Sequence, residues 1–217
     1  MKKILDPKKL INLYCAGYFP MANSSRSNKI KIYKPNNRFI IPIKKFHVPK
    51  KLFQEYKRNQ YEYTINQEFN DVILQCSLPR KNHKDTWINK IIIDSYILLN
   101  KLNIAHSIEC RSGKKLIGGL YGIHIGGCFF GESMFSQVSN TSKFCLLFLI
   151  SILIKNNFSL LDSQFYNQHL VQFGAYEIPD HEYQKKLKKS IRSKKEFNNN
   201  INYDESIDIL QSLTQTS

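Results

Sequence analysis

Acidic residues are scarce in this chain: 17 Asp and Glu stand against 32 Lys and Arg, a formal charge of +15. A surface so one-sided makes a polyanionic partner, nucleic acid above all, the natural expectation. The Lys and Asn usage of an AT-rich genome is a second source of the same bias, and composition leaves both open. Long apolar runs are missing too. The longest, Phe144 to Ile154, contains Ser151 and falls short of the ~18–20 residues that cross a bilayer, so it reads as a buried helix and no membrane partner is expected. The basic start, Met1 to Leu10, leads into no apolar core and no small-residue cleavage site, so export is not expected and a cytoplasmic setting is. Five cysteines, Cys15, Cys76, Cys110, Cys128 and Cys145, form no CxxC pair, and the histidines show no metal spacing. Core thiols, no metal and no disulfide framework are the expectation.

What is present is ordinary for a folded protein: 217 residues, 42 % hydrophobic and 23 % charged, enough for one substantial core and a smaller lobe. Residues 1–59 are heterogeneous. Helical spacing runs from Ile4 to Cys15, a short strand is expected near Ile30 to Tyr33, and Pro35, Pro42 and Pro49 punctuate what read as connections before a helix at Lys50 to Arg58. This is read as a small N-terminal lobe. From residue 60 to 190 the pattern is regular. Tyr61, Tyr63 and Ile65 alternate as in a half-buried strand; Phe69, Val72, Ile73 and Cys76 form a helical stripe; a longer helix starts near Thr86 and buries Ile88, Ile91, Ile92, Leu98, Leu99 and Leu102. Strands follow over Ala105–Cys110, Leu116–Ile125 and Cys128–Ser136, then a helix over Thr141–Lys155, a strand over Phe158–Gln164, a helix from Asn167 and a strand near Tyr176–Ile178. The order is that of an α+β, GNAT-like acyltransferase domain with a mixed, mostly antiparallel sheet. Residues 191–217 form a basic, Asn-rich tail, with a short helix over Asp204–Leu213.

The densest feature is Gly118 to Ser136, GGLYGIHIGGCFFGESMFS. Glycine inside a strand costs roughly 0.5–1 kcal/mol relative to alanine, so something must approach this backbone closely. Glu132 is the only acidic residue between Lys114 and Lys155. A lone carboxylate among Phe129, Phe130, Met134 and Phe135 needs a positive partner, either an internal Lys or Arg or an incoming cation. Asp162 and Gln164, two apart in an expected strand, share a face; they are either a satisfied cap or a polar pair held for use. Phe129, Phe130, Met134, Leu120 and Leu161 read first as core. His106 reads as a hydrogen-bonded structural residue.

These segments, with Gly17-Tyr18-Phe19-Pro20-Met21, Thr86-Trp87-Ile88, Ser139-Asn140-Thr141-Ser142-Lys143, Leu160-Leu161-Asp162-Ser163-Gln164, His169-Leu170 and Gly174-Ala175, make the chain resemble the leucyl/phenylalanyl-tRNA–protein transferase family over nearly its whole length. The resemblance implies the GNAT-like fold and transfer of leucine or phenylalanine, with methionine as a further donor, from aminoacyl-tRNA to the N-terminal Arg or Lys of acceptor proteins, which marks them for degradation. It implies no cofactor, and a monomer is expected. It assigns Asp162 and Gln164 to orienting and deprotonating the acceptor's α-amine, Glu132 to binding the acceptor's positive charge, and Leu120, Phe129, Phe130, Met134 and Leu161 to the aminoacyl pocket. Departures accompany it. A Trp-x-x-Pro-x-x-Arg motif appears as Ile32 to Arg38, keeping Pro35 and Arg38 without the tryptophan, and a second tryptophan is replaced at Cys110-Arg111. Two rivals remain: an acyl-CoA-dependent N-acyltransferase, for which Gln137–Lys143 lacks the pyrophosphate-binding glycine pattern, and a non-catalytic RNA-binding module.

Overall fold

The computed structural model describes residues 4–58, 61–79, 85–198 and 200–215; the first three residues of the basic start and Asn199 of the tail lie outside them. Helix α1 (Pro7–Cys15) begins with Pro7 in its first turn and with Asp6 accepting from the Lys9 amide at 2.8 Å. A separate hairpin, β1 (Phe19–Ala22) and β2 (Ile30–Tyr33), follows. The chain continues through β3 (Asn37–Ile41), α2 (Lys50–Arg58), β4 (Glu62–Ile65), α3 (Phe69–Cys76), α4 (Lys90–Lys101) and the meander β5 (Ala105–Ser112), β6 (Lys115–Ile125) and β7 (Cys128–Ser136). It ends with α5 (Thr141–Lys155), β8 (Leu160–Asp162), α6 (Gln168–Val171), β9 (Tyr176–Pro179), α7 (Asp180–Ile191) and α8 (Tyr203–Gln215).

Seven strands form one sheet in the order β4-β5-β6-β7-β8-β3-β9, antiparallel throughout except for β7 against β8. Alternation along the strands sends Phe39, Ile41, Phe129 and Leu161 to one face, against α2, α5 and α8, and Ile40, Phe130 and Leu160 to the other, against α1, α3, α4 and α7. The mixed α+β architecture with a mostly antiparallel sheet is thus as expected. Helix α5 has no polar face because it is sandwiched between sheet and α8, where Ser151 bonds Ser206.

Several elements differ from the sequence reading. The segment read as an N-terminal lobe contributes β3 to the main sheet, between β8 and the edge strand β9, and Leu52, Phe53 and Tyr56 to its core. Prolines at 35 and 42 made this strand look like a connection; they merely bound it. The cap of α4 is Asn89, whose Oδ1 accepts from the Ile92 amide at 2.9 Å, while Thr86 caps a turn upstream by accepting from Ile88. Leu102, expected inside, lies past that helix and is exposed. Residues 180–191, given no element of their own in the sequence reading, make the complete helix α7, which buries Tyr183 and Leu187 beneath its lysines. The tail folds back: α8 packs on α5, and Phe197 joins the core.

The glycines of β6 are crowded by the protein itself. A Cβ on Gly118 would fall 2.4 Å from the Thr141 side chain, on Gly119 2.8 Å from the Phe135 ring, and on Gly122 2.3 Å from the Phe130 carbonyl oxygen. Gly131, on β7, is not crowded in this way: a Cβ there would meet only the Asp162 carbonyl oxygen, at 3.6 Å. Gly122→Ala is therefore expected to cost about 3 kcal/mol through overpacking against backbone, and Gly131→Ala less than about 1 kcal/mol. Urea denaturation of the two variants checks this, and equal costs would contradict it.

Candidate active site

The site lies where β7 and β8 part. Their parallel pairing covers only Cys128–Phe130 against Leu160–Asp162. Beyond it Ser163 turns to Phe39, its amide donating to the Phe39 carbonyl at 3.0 Å, and Gln164 takes a left-handed φ of 69°. The gap opens into a cavity of about 550 Å³, lined by Gly131, Glu132, Ser133 and Met134 from one strand and Leu161, Asp162 and Ser163 from the other. Ile41, Leu120, Leu146, Leu149 and Leu170 complete an apolar wall, and Tyr121 and Trp87 add aromatic surface.

Glu132 is the extra residue of a β-bulge. Tyr121 pairs with Ser133 and Gly122 with Gly131, which leaves Glu132 without a partner on β6. The bulge lets Glu132 turn toward α1 and α4 while reversing the alternation, so that Met134 faces the core on the opposite side. The Glu132 carboxylate accepts from Tyr14 Oη at 2.6 Å, Gln164 Nε2 at 2.8 Å and Tyr96 Oη at 3.2 Å. Burial pushes its carboxyl up to about 7, against the opposing pull of those three donors and with a small further push from Asp162. Among the described residues no Lys, Arg or His makes an ion pair with it.

Asp162, in contrast, is fully buried and fully engaged. Its carboxylate accepts from Arg38 Nε at 2.9 and 3.1 Å, Arg38 Nη2 at 2.8 Å, Tyr183 Oη at 2.7 Å and the Gln164 amide at 2.8 Å. Arg38 is equally buried, donates to the Gly17 carbonyl at 2.9 Å, and lies 4.7 Å from the Phe19 ring and 4.6 Å from the Tyr183 ring. Burial works against the Arg38 charge, yet Asp162 outweighs it and holds the guanidinium above its ordinary range. The result is one continuous chain of contacts, from Gly17 through Arg38, Asp162 and Gln164 to Glu132 and the two tyrosines. Burial, reinforced by the Glu132 charge, keeps Tyr14 and Tyr96 protonated.

The structure brings Asp162, Gln164 and Glu132 together, but not by strand alternation: Gln164 lies past the end of β8, and its positive φ returns its amide to Glu132. Leu120, Met134 and Leu161 line the cavity. Phe129 and Phe130 do not; both are wholly buried, on opposite faces of the sheet. Arg38, Tyr14, Tyr96 and Tyr183 were not singled out from sequence as site residues, although Arg38 stood in the retained part of the Pro-x-x-Arg pattern. Trp87 lines the cavity, whereas Ile32 and Arg111, at the two replaced tryptophan positions, do not; Arg111 pairs with Glu68. His106 sits apart, held by Asn66 and His124 and stacked on Phe197.

A family model described as leucyl/phenylalanyl-tRNA protein transferase matches residues 40–188. Three relatives carry the name leucyl/phenylalanyl-tRNA–protein transferase. That of Phenylobacterium zucineum is 41 % identical, covering 88 % of this chain and 87 % of its own. That of Maricaulis maris is 40 % identical over 97 % of both chains. That of Chlorobium limicola is 40 % identical over 89 % of this chain and 100 % of its own. Among solved structures, L-PGS from Bacillus licheniformis aligns at a TM-score of 0.43 and 13 % identity, covering 95 % of this chain and 69 % of that one. The sequence matches make the chain an enzyme of the aminoacyltransferase class. It belongs to the leucyl/phenylalanyl-tRNA–protein transferase family.

Proposed function

We propose that the cavity takes the leucyl or phenylalanyl side chain of an aminoacyl-tRNA and that the Glu132–Gln164 pair receives the N-terminal Arg or Lys of an acceptor protein, which the added residue marks for degradation. The observation that carries this reading is the adjacency of an apolar, amino-acid-sized chamber to an uncompensated carboxylate. The ester is already activated, so catalysis consists of aligning an amine against its carbonyl and managing a proton. The parted parallel strands β7 and β8 support a GNAT-like reading of the fold. The first amides of α5 argue against coenzyme A, because Thr141 donates to Val138 and Ser142 to the Ser136 hydroxyl, so neither is open to a pyrophosphate. The net charge supports a tRNA backbone partner. A cytoplasmic, monomeric enzyme without a cofactor fits this reading.

The test is a single incubation of the protein with radiolabelled leucyl-tRNA, labelled acetyl-CoA and a peptide beginning with arginine. Leucine on the peptide supports the reading; acetyl transfer, or RNA binding without transfer, overturns it. Donor affinity is expected to fall with salt along a log–log slope of several units, and a flat dependence measured by filter binding would contradict a backbone-dominated contact.

A further inference from the structure

We propose, building on the reading above, that Glu132 is the group that takes the proton the acceptor's α-ammonium must lose before attack, with Arg38 and Asp162 acting as positioning residues for Gln164.

An N-terminal amine has an ordinary pKa of about 7.7–8.0, so most acceptors arrive charged and cannot attack. Three carboxylates border the cavity: Asp85, which is exposed and accepts from the Ser25 and Thr86 amides, and the more deeply set Asp162 and Glu132. Asp162 has Arg38, Tyr183 and the Gln164 amide on its oxygens and no exposed surface. Protonating it would break a buried ion pair and strand Arg38, a heavy penalty for two groups with almost no exposed surface. What it does instead is hold the Gln164 backbone in the left-handed region, which points the amide at Glu132.

Glu132 is built differently. The bulge aims it into the gap, it is half-buried, and its three donors are all neutral. Its charge is thus solvated by the protein but not cancelled, which suits a carboxylate that first binds a cation and then accepts its proton. The titratable groups around it are Tyr14 from α1, Tyr96 from α4, Tyr121 from β6 and Asp162 from β8; Cys76, Asp85 and His169 line the same cavity. None of the tyrosines competes for the proton, because burial holds each well above its ordinary range. Tyr121 lines the same cavity, and its buried hydroxyl has no hydrogen-bond partner among the described residues. A Glu132 carboxyl titrating near 7 is matched to a nearby ammonium, so the transfer is close to isoenergetic.

The step balances. An N–H proton passes to a Glu132 oxygen; the freed lone pair forms the C–N bond to the ester carbonyl; the bond to the ribose oxygen breaks, and that oxygen takes a second amine proton. Glu132 then releases its proton to solvent.

The experiment compares wild type with Glu132→Gln, which keeps the shape, using leucyl-tRNA and two acceptors: an arginine peptide, and the same peptide with its α-amine replaced by an aminooxy group that is uncharged at neutral pH. With the ordinary amine, kcat/KM of the wild type should be bell-shaped, the acid limb at about pH 7 from Glu132 and the alkaline limb from loss of the bound ammonium. Glu132→Gln should lose roughly 100-fold at neutral pH on the amine, rise steadily with pH, and lose less than about tenfold on the aminooxy peptide. Glu132→Asp should retain the bell at reduced height. Equal losses on both acceptors, or an acid limb that survives in Glu132→Gln, overturns the inference while leaving transfer itself intact. A wild type that moves no leucine overturns the functional reading instead. Folding is checked by melting: the raised carboxyl costs stability progressively as pH rises from the ordinary glutamate range to about 7, so Glu132→Gln should melt no lower than wild type at mildly alkaline pH.

Discussion

Arg38→Met should destabilise the protein by about 3–5 kcal/mol, because it leaves the Asp162 carboxylate buried without its cation. For a chain of this size that corresponds to a fall in Tm of about 6–20 °C. The loss extends beyond the ion pair. Arg38 also ties Gly17 to β3 and fills the space between the Phe19 and Tyr183 rings, so the β1 hairpin and α7 lose an anchor together. Methionine retains much of the stem's packing. The second variant separates charge from volume: adding Asp162→Asn removes the stranded charge, while the oxygen of the introduced amide can still accept from Tyr183 or from the Gln164 backbone N–H. The double variant should recover at least half of the lost stability, giving a coupling energy above about 1.5 kcal/mol in a thermal double-mutant cycle. A single-variant cost below about 1 kcal/mol, or strict additivity, would remove the ion pair from the account of how Gln164 is held.

That ion pair also illustrates what sequence reading reaches. Lys50–Arg58, Phe69–Cys76 and Thr141–Lys155 were legible to the residue, because their apolar spacing or continuous apolar run is local and bounded by caps or breakers. The meander β5 to β7 was legible because its turns fall at Gly113 and Gly126, both with positive φ. Strand β3 was not. Its partners, β8 and β9, lie far along the chain, and nothing within Asn37–Ile41 announces them. Arg38 was visible as a retained motif residue, but its partner is fixed only by that long-range pairing. The bulge at Glu132 was hidden for a different reason: two-residue alternation cannot show one residue inserted into it. The glycines of 118–122 pointed correctly to close approach, yet the approaching groups are Thr141, Phe135, Phe129 and Phe130, not a ligand. Resemblance to the family compensated in part, bringing Asp162, Gln164 and Glu132 to attention before any geometry could connect them.

Met134→Trp should lower kcat/KM for leucyl and phenylalanyl donors by roughly 10–100-fold, the phenylalanyl donor losing more. Met134 is suited to this test because the bulge turns it to the cavity wall while leaving it half-buried, so a larger side chain can extend into open volume without displacing core atoms. The indole takes up part of a chamber of about 550 Å³ that, on the function proposed above, the donor side chain and its ester share. Each methylene that no longer fits forfeits about 1–3 kcal/mol of transition-state binding, which sets the expected range and its order. Stability should change by less than about 1.5 kcal/mol, since Met134 is only half-buried and borders the cavity. An alanyl-tRNA donor is the internal control: it needs little of the apolar wall formed by Ile41, Leu146, Leu149 and Leu161, so whatever transfer the wild type shows with it should be nearly unaffected. If all three donors lose equally, the variant has disturbed the ester or the amine, and the donor side chain is bound elsewhere. If only the larger donors lose, the same cavity wall that meets Glu132 also selects the amino acid, and donor choice and amine activation share the two sides of one parted strand pair.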